Sequence, residues 1–132
     1  MKGKAYLLFI FIGLSACEYK DLRTAPAVLV GKWQLIQLLA DPGDGSGVFT
    51  AVNSTKTISF FSDSTFQSTG PMCQMSMAGD QFTSGTYSPK FNTITPIGCN
   101  ASSLKISYII KDDYLIVYYP CIEACAEKYA KW

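Results

Sequence analysis

From residue 27 onward the chain repeats one device: a short run of β-branched and aromatic residues, a cluster of turn residues, then another run. Residues 32–39 open the series, and residues 56–61 follow with Ile58 and Phe60 on one face. Ser62-Asp63-Ser64 supplies turn chemistry before residues 65–68. Residues 85–88 and 92–97 flank a tight turn at Pro89-Lys90-Phe91. Residues 104–110 set Leu104, Ile106, Tyr108 and Ile110 on one side, Asp112-Asp113 turns the chain, and residues 114–119 return it. Residues 126–132 make the last run. Alternation with period two marks half-buried strands. No stretch beyond the leader sustains a helical period, and residues 27–30 make a helical turn at most. About eight short strands at this spacing predict an all-β sandwich or barrel, and closing the sheet removes its sticky edges.

The first 16 residues are of another kind. Lys2 and Lys4 precede an apolar run at residues 5–14, and the small residues Ser15 and Ala16 lead to Cys17. A charged start, a short apolar stretch and small residues describe a secretory signal. The run is too short to span a bilayer as a helix, which takes about 20 residues. Leu14-Ser15-Ala16-Cys17 resembles the lipobox of bacterial lipoproteins. That resemblance implies diacylglycerol on the Cys17 thiol, cleavage before it, and acylation of the new amino terminus. Such chains anchor at about 0.8 kcal/mol per buried CH₂. The sequence then divides into a signal peptide (1–16), a polar lipidated tether (17–26) and one domain (27–132), a length suited to a single core. The implied location is the bacterial envelope, at the outer membrane, on its periplasmic or surface face.

Loss of Lys2 and Lys4 changes 11 basic and 10 acidic residues to nine and ten, a net charge of −1. Mixed, nearly neutral charge argues against a nucleic-acid partner, which needs a basic stripe. The lipid would hold the protein to the membrane. Five cysteines is an odd number, awkward for a secreted chain. Assigning Cys17 to lipid leaves Cys73, Cys99, Cys121 and Cys125, which can pair completely in an oxidising compartment. Three pairings are possible. The spacing favours Cys73–Cys99 with Cys121–Cys125, because Ile122-Glu123-Ala124 can join two antiparallel strands whose facing residues meet the spacing a disulfide needs. In the chain-entropy account the longer bridge contributes about 3.5 kcal/mol and the shorter about 2 kcal/mol. With no histidine, and Cys-x₃-Cys in place of paired Cys-x₂-Cys knuckles, a zinc site is not expected.

Gly31-Lys32-Trp33 opens the first strand, and the loop Asp41-Pro42-Gly43-Asp44-Gly45-Ser46-Gly47 follows it. A hairpin at residues 58–66 and the late segment Tyr119-Pro120-Cys121-Ile122-Glu123-Ala124-Cys125 complete a set of features. Together they resemble the small lipocalin-like lipoproteins of Gram-negative envelopes. The resemblance implies an up-and-down antiparallel barrel of about eight strands, with Trp33 closing its bottom. It also implies that the Asp41 loop caps the mouth. The chain departs from full lipocalins in its short strands and in lacking a long C-terminal helix.

Function is less constrained. Without histidine there is no Ser-His-Asp triad and no Cys-His pair, so the chain reads as a non-enzyme without cofactor or metal. The Asp41–Gly47 stretch fails as a calcium loop, because Val52 stands where an EF-hand needs glutamate. Asp112-Asp113 reads as an exposed hairpin tip. Tyr114, Tyr118 and Tyr119 read as packed tyrosines, each with one wet end. An eight-stranded barrel is just wide enough to be filled by side chains or to hold one small ligand. The first reading is a binding module for a small apolar ligand, with Trp33, Phe60, Phe66 and Tyr108 as walls and Asp41, Asp44 and Ser46 on a lid. The alternative is an envelope interaction protein, an inhibitor or scaffold, with a filled barrel and no ligand.

Overall fold

The computed structural model describes residues 28–100 and 104–132. The leader, the tether and Cys17 lie outside the described residues. Among the described residues nine strands form one antiparallel sheet: β1 (Gly31–Ala40), β2 (Thr50–Ala51), β3 (Thr57–Phe60), β4 (Thr65–Ser68), β5 (Thr83–Ser88), β6 (Thr93–Pro96), β7 (Ile106–Lys111), β8 (Tyr114–Tyr118) and β9 (Cys125–Lys131). Consecutive strands from β3 to β9 are neighbours, and β1 pairs with both β3 and β9. That last pairing runs from Trp33 opposite Lys131 to Ala40 opposite Cys125 and closes an eight-stranded barrel.

β2 is the addition. It pairs with Gln37 and Leu38, on the stretch of β1 beyond the β3 contact. Residues 52–56 interrupt what would otherwise be one strand, and Leu35 N donates to the Lys56 carbonyl at 3.0 Å across the gap. Two-residue strands carry no readable period, so the sequence pattern passes over it.

Alternation puts one face of each strand inside. Trp33 and Leu35 of β1, Ile58 and Phe60 of β3, Phe66 of β4, Tyr87 of β5, Ile94 of β6, Ile106 and Tyr108 of β7, Leu115 and Val117 of β8, and Tyr129 of β9 form one core. Each such side chain contributes about 1.5–3 kcal/mol by leaving water. Phe60 is the centre of an aromatic group, edge-on to Tyr87 at 5.0 Å and tilted against Phe66 and Tyr108 at 6.2 and 6.3 Å. Gly85 makes room for it: a Cβ there would collide with the Thr95 carbonyl and stand 2.7 Å from Phe66 Cε1.

The barrel has two unlike ends. At one, the chain enters through Val28 and Leu29, and short turns join β3–β4, β5–β6 and β7–β8. Trp33 closes this end; its Nε1 donates to the Leu29 carbonyl at 2.8 Å. At the other end lie the longer connections 41–49, 69–82 and 119–124, with residues 97–100 and 104–105 between β6 and β7. The β7–β8 hairpin turns in two residues, Asp112 and Asp113, with φ of 51° and 64°. Positive φ at both positions matches the right-handed strand twist, at a steric cost that Asp tolerates and Gly escapes.

Replacing Asp113 by Gly should therefore stabilise the domain by about 0.5 kcal/mol. Thermal melts should show a rise of about 2–4 °C, with a native far-UV spectrum.

Candidate functional site

The longer connections make the loop end the candidate site. Residues 69–82 run across it as a strap. Met72, from its middle, is fully buried with the core. Below the strap, Lys56 from the segment before β3 and Glu127 from β9 meet, neither exposed to solvent. Lys56 Nζ donates to both carboxylate oxygens of Glu127, at 2.8 and 2.9 Å. It also donates to the strap carbonyls of Pro71 at 2.7 Å and Ser76 at 3.2 Å. Glu127 in turn accepts the Ser76 backbone N–H at 2.8 Å and the Tyr119 hydroxyl at 2.8 Å. The Tyr129 hydroxyl donates to the same carboxylate. Both ions are thus saturated with partners, the condition under which burial of charge is tolerated. Gly70 lets the strap close in, since a Cβ there would strike the Ala78 carbonyl and the Lys56 stem.

Burial pulls the Lys56 ammonium below its ordinary pKa, and the charge and hydrogen bond of Glu127 oppose that. Burial, with Glu127 second, pushes Tyr119 and Tyr129 well above the ordinary tyrosine range. Tyr108, deep in the core with an unpartnered hydroxyl, is pushed up to about 12 by burial.

Two disulfides fasten this end. Cys73–Cys99 ties the strap to the β6–β7 connection with Cα atoms 5.4 Å apart. Cys121–Cys125 closes the turn before β9 at 6.0 Å. The pairing is the one the spacing favours.

The four residues read as ligand walls do come together, but they occupy the interior themselves. Trp33, Phe60, Phe66 and Tyr108 are exposed by 1, 1, 0 and 3%. Side chains lining a void large enough for a guest would keep surface open to water within it. A groove of about 540 Å³ lies outside the barrel wall, between β1, residues 52–57 and Trp132. It includes none of the four.

The Asp41–Gly47 loop sits at the loop end, exposed for most of its length, and is satisfied within itself. Asp41 Oδ1 accepts the amides of Gly43 and Gly45, and Oδ2 accepts that of Gly47 at 2.8 Å. Asp44 accepts the Ser46 amide at 2.9 Å and also binds its hydroxyl. These bonds hold both carboxyls below the usual range. The strap, not this loop, covers the core. Tyr118 keeps an exposed edge, whereas Tyr119 turns inward to the ion pair. Sequence reasoning passed over Lys56 and Glu127. The available signal was Glu127 at an inward position of the Cys125, Glu127, Tyr129 alternation, since a buried carboxylate needs donors or a cation around it.

Glu127→Gln should leave Lys56 charged and unpaired, costing about 3–5 kcal/mol in urea unfolding and removing hydrogen-exchange protection at the Ser76 amide. Lys56→Met with Glu127→Gln should recover most of that loss. Alkali should also weaken the fold. Tyrosines whose folded pKa is raised keep their protons while the unfolded chain, near 10.0, releases its own, so stability is full below pH 10 and falls as pH rises toward 12. Lys56 acts oppositely but below 10.5. Unfolding free energies from urea titrations should therefore decline between pH 10.5 and 11.5, above the Lys56 window, by about 1 kcal/mol from Tyr108 alone. No family model, curated protein or solved structure matches the chain, so its function is argued from this geometry.

Proposed function

We propose that the protein is a lipid-anchored, non-catalytic envelope lipoprotein of lipocalin-like form that works by presenting its loop end to a partner protein. The observation that carries this reading is the near-zero exposure of Trp33, Phe60, Phe66 and Tyr108, which leaves no room beside them for a guest. Of the two sequence readings, the filled barrel is therefore the better supported.

The loop end has the makings of a contact surface. Val48, Met77, Phe82, Ile97 and Ile122 are exposed there, each by more than half. Asp41, Asp44, Asp80 and Glu123 lie on the same connections, where Lys105 is the basic residue among those described. Apolar side chains in an acidic setting suit a partner with a basic, apolar face. Two disulfides and the ion pair hold the loops in place before binding, which lowers the ordering cost of association. Cleavage before Cys17 and acylation of its thiol complete the proposal, on the strength of the lipobox resemblance.

Native mass spectrometry of the protein extracted from its host membrane should give the acylated polypeptide with two disulfides and no retained molecule. Cys17→Ser should move the domain from the membrane to the soluble fraction. Titration with long-chain fatty acid should leave the emission of buried Trp33 unchanged. A stoichiometric apolar molecule in the native mass would instead restore the ligand reading.

A further inference from the structure

The end opposite the loops carries a second surface. Val28, Phe61, Phe91 and Trp132 are exposed there by 53, 40, 68 and 74%. The topology places them on one rim. Trp132 N donates to the Lys32 carbonyl at 2.8 Å, beside the start of β1, and Phe61 follows the β3 residue that pairs with Gly31. The β3–β4 turn is tied to β5 by the bond from Tyr87 N to the Ser64 carbonyl at 2.9 Å, and Phe91 lies in the next turn at the same end.

Two of these rings carry an ammonium. Lys32 Nζ stands 4.3 Å from the centre of the Trp132 ring, and Lys90 Nζ 5.3 Å from that of Phe91. Lys131 adds a third cation to the rim, bonded to the Val28 carbonyl at 2.7 Å. The acidic side chain on this arc, Asp63, is turned back onto Thr65, whose N–H and hydroxyl it accepts at 3.0 and 2.6 Å. The acidic tip Asp112-Asp113 lies at the β7–β8 hairpin, on the remaining part of the rim.

We infer that this rim, from Trp132 through Phe61 to Phe91, rests on the surface of the bilayer that carries the lipid anchor. The inference rests on the anchor proposed above. Aromatic rings with an amphipathic edge settle at the level of lipid headgroups, and lysines beside them reach phosphate while their stems lie along the acyl boundary. The tether also enforces the encounter. The ten residues 17–26 reach at most about 35 Å when fully extended, and they join the domain at Val28, on this rim. An anchored domain therefore meets the bilayer at high effective concentration, so a surface too weak to bind alone is held down. The acidic loop end then faces away from the membrane, toward a partner. The charge difference between the two ends favours the same orientation over an anionic leaflet.

The chain contains its own reporter. Of its two tryptophans, Trp33 is buried and Trp132 is exposed. The full lipoprotein, its acyl chains verified by intact mass, would be placed in vesicles of phosphatidylethanolamine and phosphatidylglycerol with brominated acyl chains. Trp132→Phe supplies the Trp33 background. The Trp132 emission should fall about two-fold relative to unbrominated vesicles. Lys90→Glu combined with Phe91→Ser should weaken that quenching, and Phe82→Ser at the loop end should leave it unchanged. Lipidated protein whose Trp132 is untouched by bromine yet freely quenched by aqueous acrylamide would overturn the inference and leave the anchor standing. An intact mass without acyl chains would remove the anchor and the inference together.

Discussion

The buried contact between Lys56 and Glu127 decides what this barrel can be. A closed eight-stranded sheet is at the margin between a filled interior and a small cavity. Here the end that could open is occupied by an ion pair whose remaining valences are used on the strap and on Tyr119 and Tyr129. In a region of low dielectric such a pair is stable only while every partner is in place, so the strap cannot lift without stranding charge. Closure of the mouth follows from that constraint, and the protein-presenting role proposed for the loops follows from closure.

The disulfides act on the same segment by a different means. Cys73–Cys99 fixes the strap to its neighbour and removes freedom from the unfolded chain. The ion pair specifies where the strap must lie; the bridge restricts where else it can go. Together they permit long, glycine-bearing connections at one end of a barrel whose other end is held by short turns and by Trp33. The asymmetry of the molecule arises from this division. Rigid loops with acidic and apolar side chains gather at one end, and lysines paired with aromatic rings at the other.

Much of the architecture was legible. Alternation at Ile58 and Phe60, and at Leu104 to Ile110, located strands because a pleated backbone repeats every two residues. The odd cysteine count and the three-residue spacer between Cys121 and Cys125 pointed to the pairing found. The resemblance carried by Gly31-Lys32-Trp33 implied a tryptophan at the closing end of β1, and Trp33 lies buried there. What was not legible has a common cause. The strap has no period, β2 is two residues long, and the partner of Glu127 lies 71 positions away. Nothing local at Lys56 distinguishes a lysine destined for the interior from one that points to water.

Sequence by itself determined that this chain makes short antiparallel strands, carries four cysteines beyond Cys17 that can pair with one another, and lacks histidine chemistry. These are local or countable properties, set by side-chain alternation, turn residues and composition. Tertiary structure alone decided whether the barrel encloses space. The volume left inside depends on how inward side chains from distant strands interlock, and on a charge pair whose stability exists only when the strap, β9 and the segment before β3 are brought together.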